Sequence, residues 1–219
     1  NVVSPTSVLE HYNLEHPDAF RYYMATSAPC GRDGNYSDLD FKEKVNAHLA
    51  NSMGNLLNRS LSMLVKYFDG EIKEEFLTNR SKEAESLLRT ALGTIKIVEN
   101  HFNHFEIQEA AQAIISIVDA TNKFVTDNAP WTLAKEEKMT ECGQVLATVL
   151  EVMCVISSLI YPYCPNIAAD MAKQLSYDLS KKLDDVTTTN LKAGKLISKE
   201  EIHPVFLRVD SELADKSKK

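Results

Sequence analysis

SDLDFKEKVNAHLANSMGNLLNRSLSMLVKYFDG, residues 37–70, decides the fold class. Its apolar residues Phe41, Val45, Leu49, Met53, Leu57, Leu61 and Leu64 recur at helical spacing, so one face of a helix is apolar while Lys, Glu and Asn fall on the others. Ser37 or Asp38 offers a side-chain oxygen to cap the start, and Gly70 stops the run. The pattern predicts one long helix of about 45 Å at 1.5 Å per residue.

The same period continues outward. Ser81 can cap a second helix carrying Leu87, Leu88, Ala91, Ile95, Val98 and Phe102. A third runs from about Ile107 to Asp127 through Ala111, Ile114, Ile115, Val118 and Phe124, ending ahead of Pro130. Val145 to Ile160 is nearly all apolar, which predicts the central helix of a bundle. Pro162 and Pro165 close it and open a short helix, Ile167 to Leu175. Before residue 37 the chain is irregular, with Pro5, Pro17 and Pro29 and a Gly31-Arg32-Asp33-Gly34 turn; one short helix, Pro17 to Met24, is expected there. After Leu175 the chain turns polar, then recovers apolar residues at Ile197, Ile202, Val205, Phe206, Leu207 and Val209, so this end should pack back. Asp215 to Lys219 reads as a disordered tail. The division is a connector over 1–36, a helix bundle over 37–176 and a return segment over 177–219, all-α overall.

With 219 residues, 44% apolar and 25% charged, the chain can bury one sizeable core, and only 7 Gly and 7 Pro agree with helices. No run of about 18 consecutive apolar residues and no signal-peptide pattern appears, so the expected setting is intracellular, the cytoplasm or an organelle matrix, with no membrane partner. Cys30, Cys142, Cys154 and Cys164 lack C-x-x-C spacing, and three of them lie in one apolar helical region where a thiol behaves as a small hydrophobe, so structural burial is expected rather than a metal site. The net charge of −7 by itself argues against a nucleic-acid-binding protein, because phosphate contacts are normally supplied by a surplus of Lys and Arg.

Enzymatic chemistry has no candidate. No phosphate-cradling glycine loop, G-x-S-x-G elbow or H-E-x-x-H pair occurs. His101 and His104 are three apart without a Cys or acidic partner at ligand spacing, and suit a helix end better. His11 and His16 do not share a helical face. Glu74 with Glu75 and Glu136 with Glu137 read as solvated surface. The expectation is no catalytic residue, no metal and no cofactor in this chain.

Asn55 and Arg59 are four apart, so an amide and a guanidinium leave one helical face together. The one tryptophan, Trp131, follows Pro130 just beyond the third helix, where a loop would hold its ring partly exposed. An aromatic plane beside directional donors is what unstacked single-stranded bases require. The other reading is a solvated helix face and a core tryptophan, in a structural or protein-interaction bundle.

Several motifs carry a resemblance. Asn46-Ala47-His48-Leu49-Ala50-Asn51-Ser52-Met53-Gly54-Asn55-Leu56-Leu57-Asn58-Arg59 resembles the N-x-x-L-A-x-x-x-G-N-L-x-x-R pattern of the methionyl-tRNA synthetase family. Ala129-Pro130-Trp131 with Ala134-Lys135 is similar to that family's A-P-W-x-x-A-K. Arg21-Tyr22-Tyr23 and Asp33-Gly34-Asn35-Tyr36-Ser37 resemble its R-Y-x-L and D-G-D-F-S elements, and Pro204-Val205-Phe206-Leu207-Arg208-Val209 its closing P-L-F-P-R-I. Leu207 stands where Pro is common and Thr126 where an acidic residue is frequent. The resemblance implies a class I synthetase anticodon-binding helix bundle behind a connector of stem-contact type. It further implies that Asn55 and Arg59 bind the cytosine opening the CAU anticodon and that Trp131, on a loop set by Pro130, stacks on the anticodon bases. Asn58, Lys66, Lys123 and Lys135 are expected as support, the lysines forming a basic patch with Arg59. Asn1-Val2-Val3-Ser4-Pro5 resembles the N-V-V-x-P after the family's Lys-Met-Ser-Lys-Ser loop, so the chain is expected to begin past the last catalytic signature and to be inactive alone. Methionine, ATP and the remaining partner, the catalytic domain, are implied for the parent enzyme. Anticodon domains of the related leucine, isoleucine, valine and cysteine enzymes are the nearest rivals.

Overall fold

The computed structural model describes residues 3–210. The expected tail, Asp215 to Lys219, lies outside the described residues. The order is α1 (Pro5–His11), α2 (Asp18–Ser27), α3 (Asp38–Val45), a π-helical stretch Asn46–Gly54, α4 (Asn55–Phe68), β1 (Glu71–Ile72), α5 (Glu74–Leu77), α6 (Lys82–Asn103), α7 (Ile107–Asn128), α8 (Pro130–Lys135), α9 (Met139–Ile160), α10 (Pro165–Gln174) and β2 (Gly194–Lys195). The architecture is the expected helix bundle; β1 and β2 add one antiparallel two-stranded ribbon, Glu71 opposite Lys195.

The long helix of residues 37–70 exists, capped by Ser37, whose hydroxyl accepts from the Asp40 N–H, but it is not α-helical throughout. At about 100° per residue, an α-helix carries each i+4 neighbour roughly 40° further round. Six residues at a strict spacing of four (Phe41, Val45, Leu49, Met53, Leu57, Leu61) would wander by about 200°. All six are nevertheless buried. The π-helical stretch has turns of more than four residues, which rotate the row back and keep it on one face. At the far end Asp69 is left-handed and Gly70 has φ +72°; a Cβ on Gly70 would strike the Ile197 carbonyl. That carbonyl belongs to the return segment, so the glycine ends the helix and admits the strand beside it.

The hairpin of α6 and α7 lies against α9, which also carries α4, α5, α8 and α10. Residues Val145–Ile160 of α9 are all buried, as their apolar run predicted. By length and composition α9 is apolar enough to cross a membrane, yet here the bundle surrounds it. Its buried polar groups are satisfied: Thr148 donates to the Gln144 carbonyl, Ser157 to Met153, and Ser158 pairs with the Tyr177 hydroxyl. Glu151, 1% exposed, accepts the backbone N–H groups of Asn190 and Leu191, 2.9 and 3.1 Å away. It thereby ties the polar part of the return segment to the central helix. Gly143 lets the Phe76 ring approach α9 where any Cβ would clash.

The connector holds two helices rather than the one expected: Pro5 opens α1, which buries Val8, a start signal of the same kind as Pro17. Buried Asp18 of α2 accepts from the Ile167 N–H and the Asn166 amide, both at 2.8 Å, at the first turn of α10. Arg21 donates to the carbonyls of Pro162 and Tyr163. Of the cysteines, the three in the apolar helical region, Cys142, Cys154 and Cys164, are buried, whereas Cys30, beside the polar Gly31–Gly34 turn, is exposed.

Candidate nucleic-acid interface

Asn55 is the first residue of α4, where the π-helical stretch gives way to the α-helix. It is exposed, and its side chain makes no hydrogen bond among the described residues. Asn58 and Arg59 are half-buried on the next turn. The Arg59 Nε is buried without a partner. Its guanidinium carbon lies 6.0 Å from the centroid of the Trp131 ring. The structure thus brings together two predicted residues that lie on different helices.

Trp131 differs from its expected setting. It does not stand on a loop but in the first turn of the six-residue helix α8, with Pro130 ahead of it as the opening residue. Proline suits that position because its missing N–H would be unpaired there anyway. The joint between α7 and α8 is Ala129, left-handed at φ 39°. Its carbonyl accepts from the N–H groups of Thr132 and Leu133. Pro130 is buried, and its carbonyl accepts the Cys142 thiol at 3.3 Å. Burial alone pushes that thiol up to about 11. The result is a ring 41% exposed on a fixed base. A partly covered ring with a guanidinium at its side suits base stacking.

The supporting lysines do not form one free patch. Lys123 is held by Asp127 at 2.6 Å, four residues along the same helix. The Lys66 ammonium lies 5.2 Å from its neighbour Tyr67's ring centroid. Lys135 is exposed at the last turn of α8. Thr126 donates to the Asn122 carbonyl. The two histidines behave as helix-end residues: His104 follows α6 and contacts the Asn100 carbonyl, and His101 pairs with Glu106. Among the described residues, no three His, Cys, Asp or Glu side chains gather as a metal site.

Sequence reasoning missed Asn122. Its amide donates to the Ser52 carbonyl across the gap between α7 and the π-helical stretch. No spacing rule announces a contact 70 residues apart in sequence.

The helix bundle thus sets the Arg59 guanidinium beside a partly exposed, supported tryptophan, with the exposed Asn55 amide one turn before Arg59 on the same helix. The comparisons make the class specific. Residues 78–217 match the family described as the anticodon binding domain of methionyl tRNA ligase, and residues 1–61 match class I tRNA synthetases (M). The chain belongs to the methionyl-tRNA ligase anticodon-binding family. It is 34% identical over 217 residues to the methionine–tRNA ligase of Listeria monocytogenes serotype 4b, covering 97% of this chain and 32% of that protein. The Nostoc enzyme is 34% identical over 218 residues, covering 96% and 40%. The apo Mycobacterium tuberculosis methionyl-tRNA synthetase superposes with a TM-score of 0.85 at 28% identity, over 95% of this chain and 41% of that one. The chain therefore spans about a third of the length of the relatives it matches.

Proposed function

We propose that this chain reads the CAU anticodon of the methionine tRNA. Asn55 and Arg59 grip the first cytosine, whose carbonyl and ring nitrogen accept and whose amine donates; the amide does both and the guanidinium donates. Trp131 supplies the stacking plane. The observation that carries this reading is the Arg59–Trp131 pair: a half-buried guanidinium beside a partly covered ring. The exposure of Trp131 disfavours the rival bundle in which the ring is core.

The net charge of −7 fits base reading with few phosphate contacts. Binding by this chain alone is therefore weak and falls with salt. By the same reading, methionine and ATP are handled by the portion of the relatives that this chain does not span, and the parent works inside the cell. The test is binding of a CAU anticodon stem-loop at several salt concentrations. A CAU preference that Trp131→Ala abolishes supports the reading. Equal, feeble binding to every loop would leave a docking bundle that joins tRNA only together with its catalytic domain.

A further inference from the structure

The two halves of the proposed reading surface arrive on different helices. Asn55 and Arg59 ride on α4; Trp131 follows α7 through the Ala129 joint. Separate helices share no backbone ladder, so side chains must set the height of one against the other. Most polar side chains along the C-terminal half of α7 contribute nothing to this. Thr121, Thr126 and Asn128 each donate to the carbonyl four residues back in their own helix.

Asn122 does more. Its Nδ2 donates to its own helix at Val118, 3.2 Å away, and across to Ser52, also at 3.2 Å. The acceptor matters. The Ser52 carbonyl also accepts the backbone N–H of Asn55, which is shared between Ala50 and Ser52 at the end of the π-helical stretch. One peptide oxygen therefore receives the amide of α7 on one side and the main chain of the first reading residue on the other. Nine residues beyond Asn122 on the same strand of chain stands Trp131.

We propose that Asn122 is a positioning residue for anticodon reading: by holding the Ser52 carbonyl it sets Asn55 against the Trp131 platform and so governs discrimination at the first anticodon base. The inference rests on the assignment of Asn55, Arg59 and Trp131 as base contacts. The π-helical junction is where such a hold is needed. Switching from i→i+5 to i→i+4 bonding leaves N–H groups with a choice of carbonyls, and Asn55 sits at that choice. A side chain fixing one of the two carbonyls selects the azimuth at which Asn55 leaves the helix.

The experiment compares this chain with Asn122→Ala, Asn122→Asp and Asn122→Gln, each titrated with CAU and UAU stem-loops that differ only in the first anticodon base. The measured quantity is the ratio of the two affinities. Both loops are titrated against the same preparation, so a loss of folded fraction leaves the ratio unmoved while a displaced reader changes it. Asn122→Ala and the isosteric, donor-free Asn122→Asp should lower the CAU preference by about fivefold, the scale of one neutral hydrogen bond. Trp131 emission should stay as in the unaltered chain. Asn122→Gln, with its donor on a longer arm, should keep part of the preference. In an Asn55→Ala background, Asn122→Ala should cause no further loss of discrimination. A ratio unchanged within about twofold in Asn122→Ala or Asn122→Asp, whatever their melting temperatures, overturns the proposal. So does an equal loss in the Asn55→Ala background. If the unaltered chain shows no CAU preference, or Trp131→Ala binds as well as it does, the anticodon assignment itself has failed and Asn122 has nothing to position.

Discussion

The guanidinium of Arg59 and the indole of Trp131 face each other across the junction of α4 and α8, with 6.0 Å between guanidinium carbon and ring centroid. At that separation the attraction between cation and ring is modest, about 0.5–1 kcal/mol at an exposed site. It is enough to orient both groups before any base arrives, and it makes them interdependent.

Arg59→Ala should therefore do two things at once. It should uncover one side of the ring, raising acrylamide quenching of the single tryptophan, and it should weaken CAU stem-loop binding by about 10- to 100-fold, the 1–3 kcal/mol scale of a stacked or bidentate base contact. Arg59→Lys keeps the charge but not the planar fork, and should recover little of the binding. Normal CAU affinity in Arg59→Lys would show that charge alone matters at this position.

Ala129 carries the turn that aims Trp131, in a left-handed conformation at φ 39°. A non-glycine residue there costs about 1–2 kcal/mol. Ala129→Gly relieves that strain but loosens the unfolded chain by about 0.4–1 kcal/mol, so stability should stay level or rise by up to about 1.6 kcal/mol. Ala129→Val, with a branched Cβ, should destabilise by more than about 1 kcal/mol and broaden Trp131 emission. Denaturant melts of both variants decide it; a valine as stable as alanine would mean the joint has relaxed to another conformation.

Glu151 carries a different part of the fold. Burial raises its carboxyl above the usual range, while the N–H groups of Asn190 and Leu191, then the Arg80 charge, pull it back. Arg80 in turn is lowered by burial and has two buried nitrogens without partners. Glu151→Gln keeps an acceptor for one N–H and should cost about 1 kcal/mol. Glu151→Leu orphans both N–H groups and leaves Arg80 without its countercharge, which should cost about 2–5 kcal/mol. Hydrogen exchange at Asn190 and Leu191 should quicken first. Unchanged protection in the leucine variant would show that the loop is held by its apolar neighbours instead.

Much of the bundle was legible because the core row is written in strict steps of four, from Phe41 to Leu61. That same strictness contained the π-helical stretch, since a true α-helix cannot keep a four-residue row on one face for so long. Reading apolar positions without measuring their drift hid it. Pro130 after the third helix suggests a loop for Trp131, but proline also opens helices, as Pro5 and Pro165 do here. Asn55, Arg59 and Trp131 are proposed from local motifs. Asn122, Glu151 and Asp18 act across 39 to 149 residues of chain, and no local period encodes such partners. One member of the expected lysine patch has a local partner: Asp127 lies one turn from Lys123 and pairs with it.

The return segment offers a pH test. His203 lies 2.8 Å from Asp170 on α10, and Gln174 donates to the His203 carbonyl. The hydrogen bond to Asp170 raises the imidazole above its ordinary value; partial burial and Lys173 oppose this, while the Glu201 carbonyl supports it. A histidine raised in the folded state contributes stability that is complete below its unfolded value of about 6.5 and is lost as pH climbs through the folded value. The His203 side chain is about half exposed and that of Asp170 partly so, and screening keeps the effect below about 1 kcal/mol. The difference in melting temperature between this chain and His203→Gln should accordingly be largest near pH 6 and shrink toward pH 8.5, and it should also shrink in high salt. A difference that grows with pH would mean that neutral His203, bonded through the Glu201 carbonyl, is the form that anchors the segment.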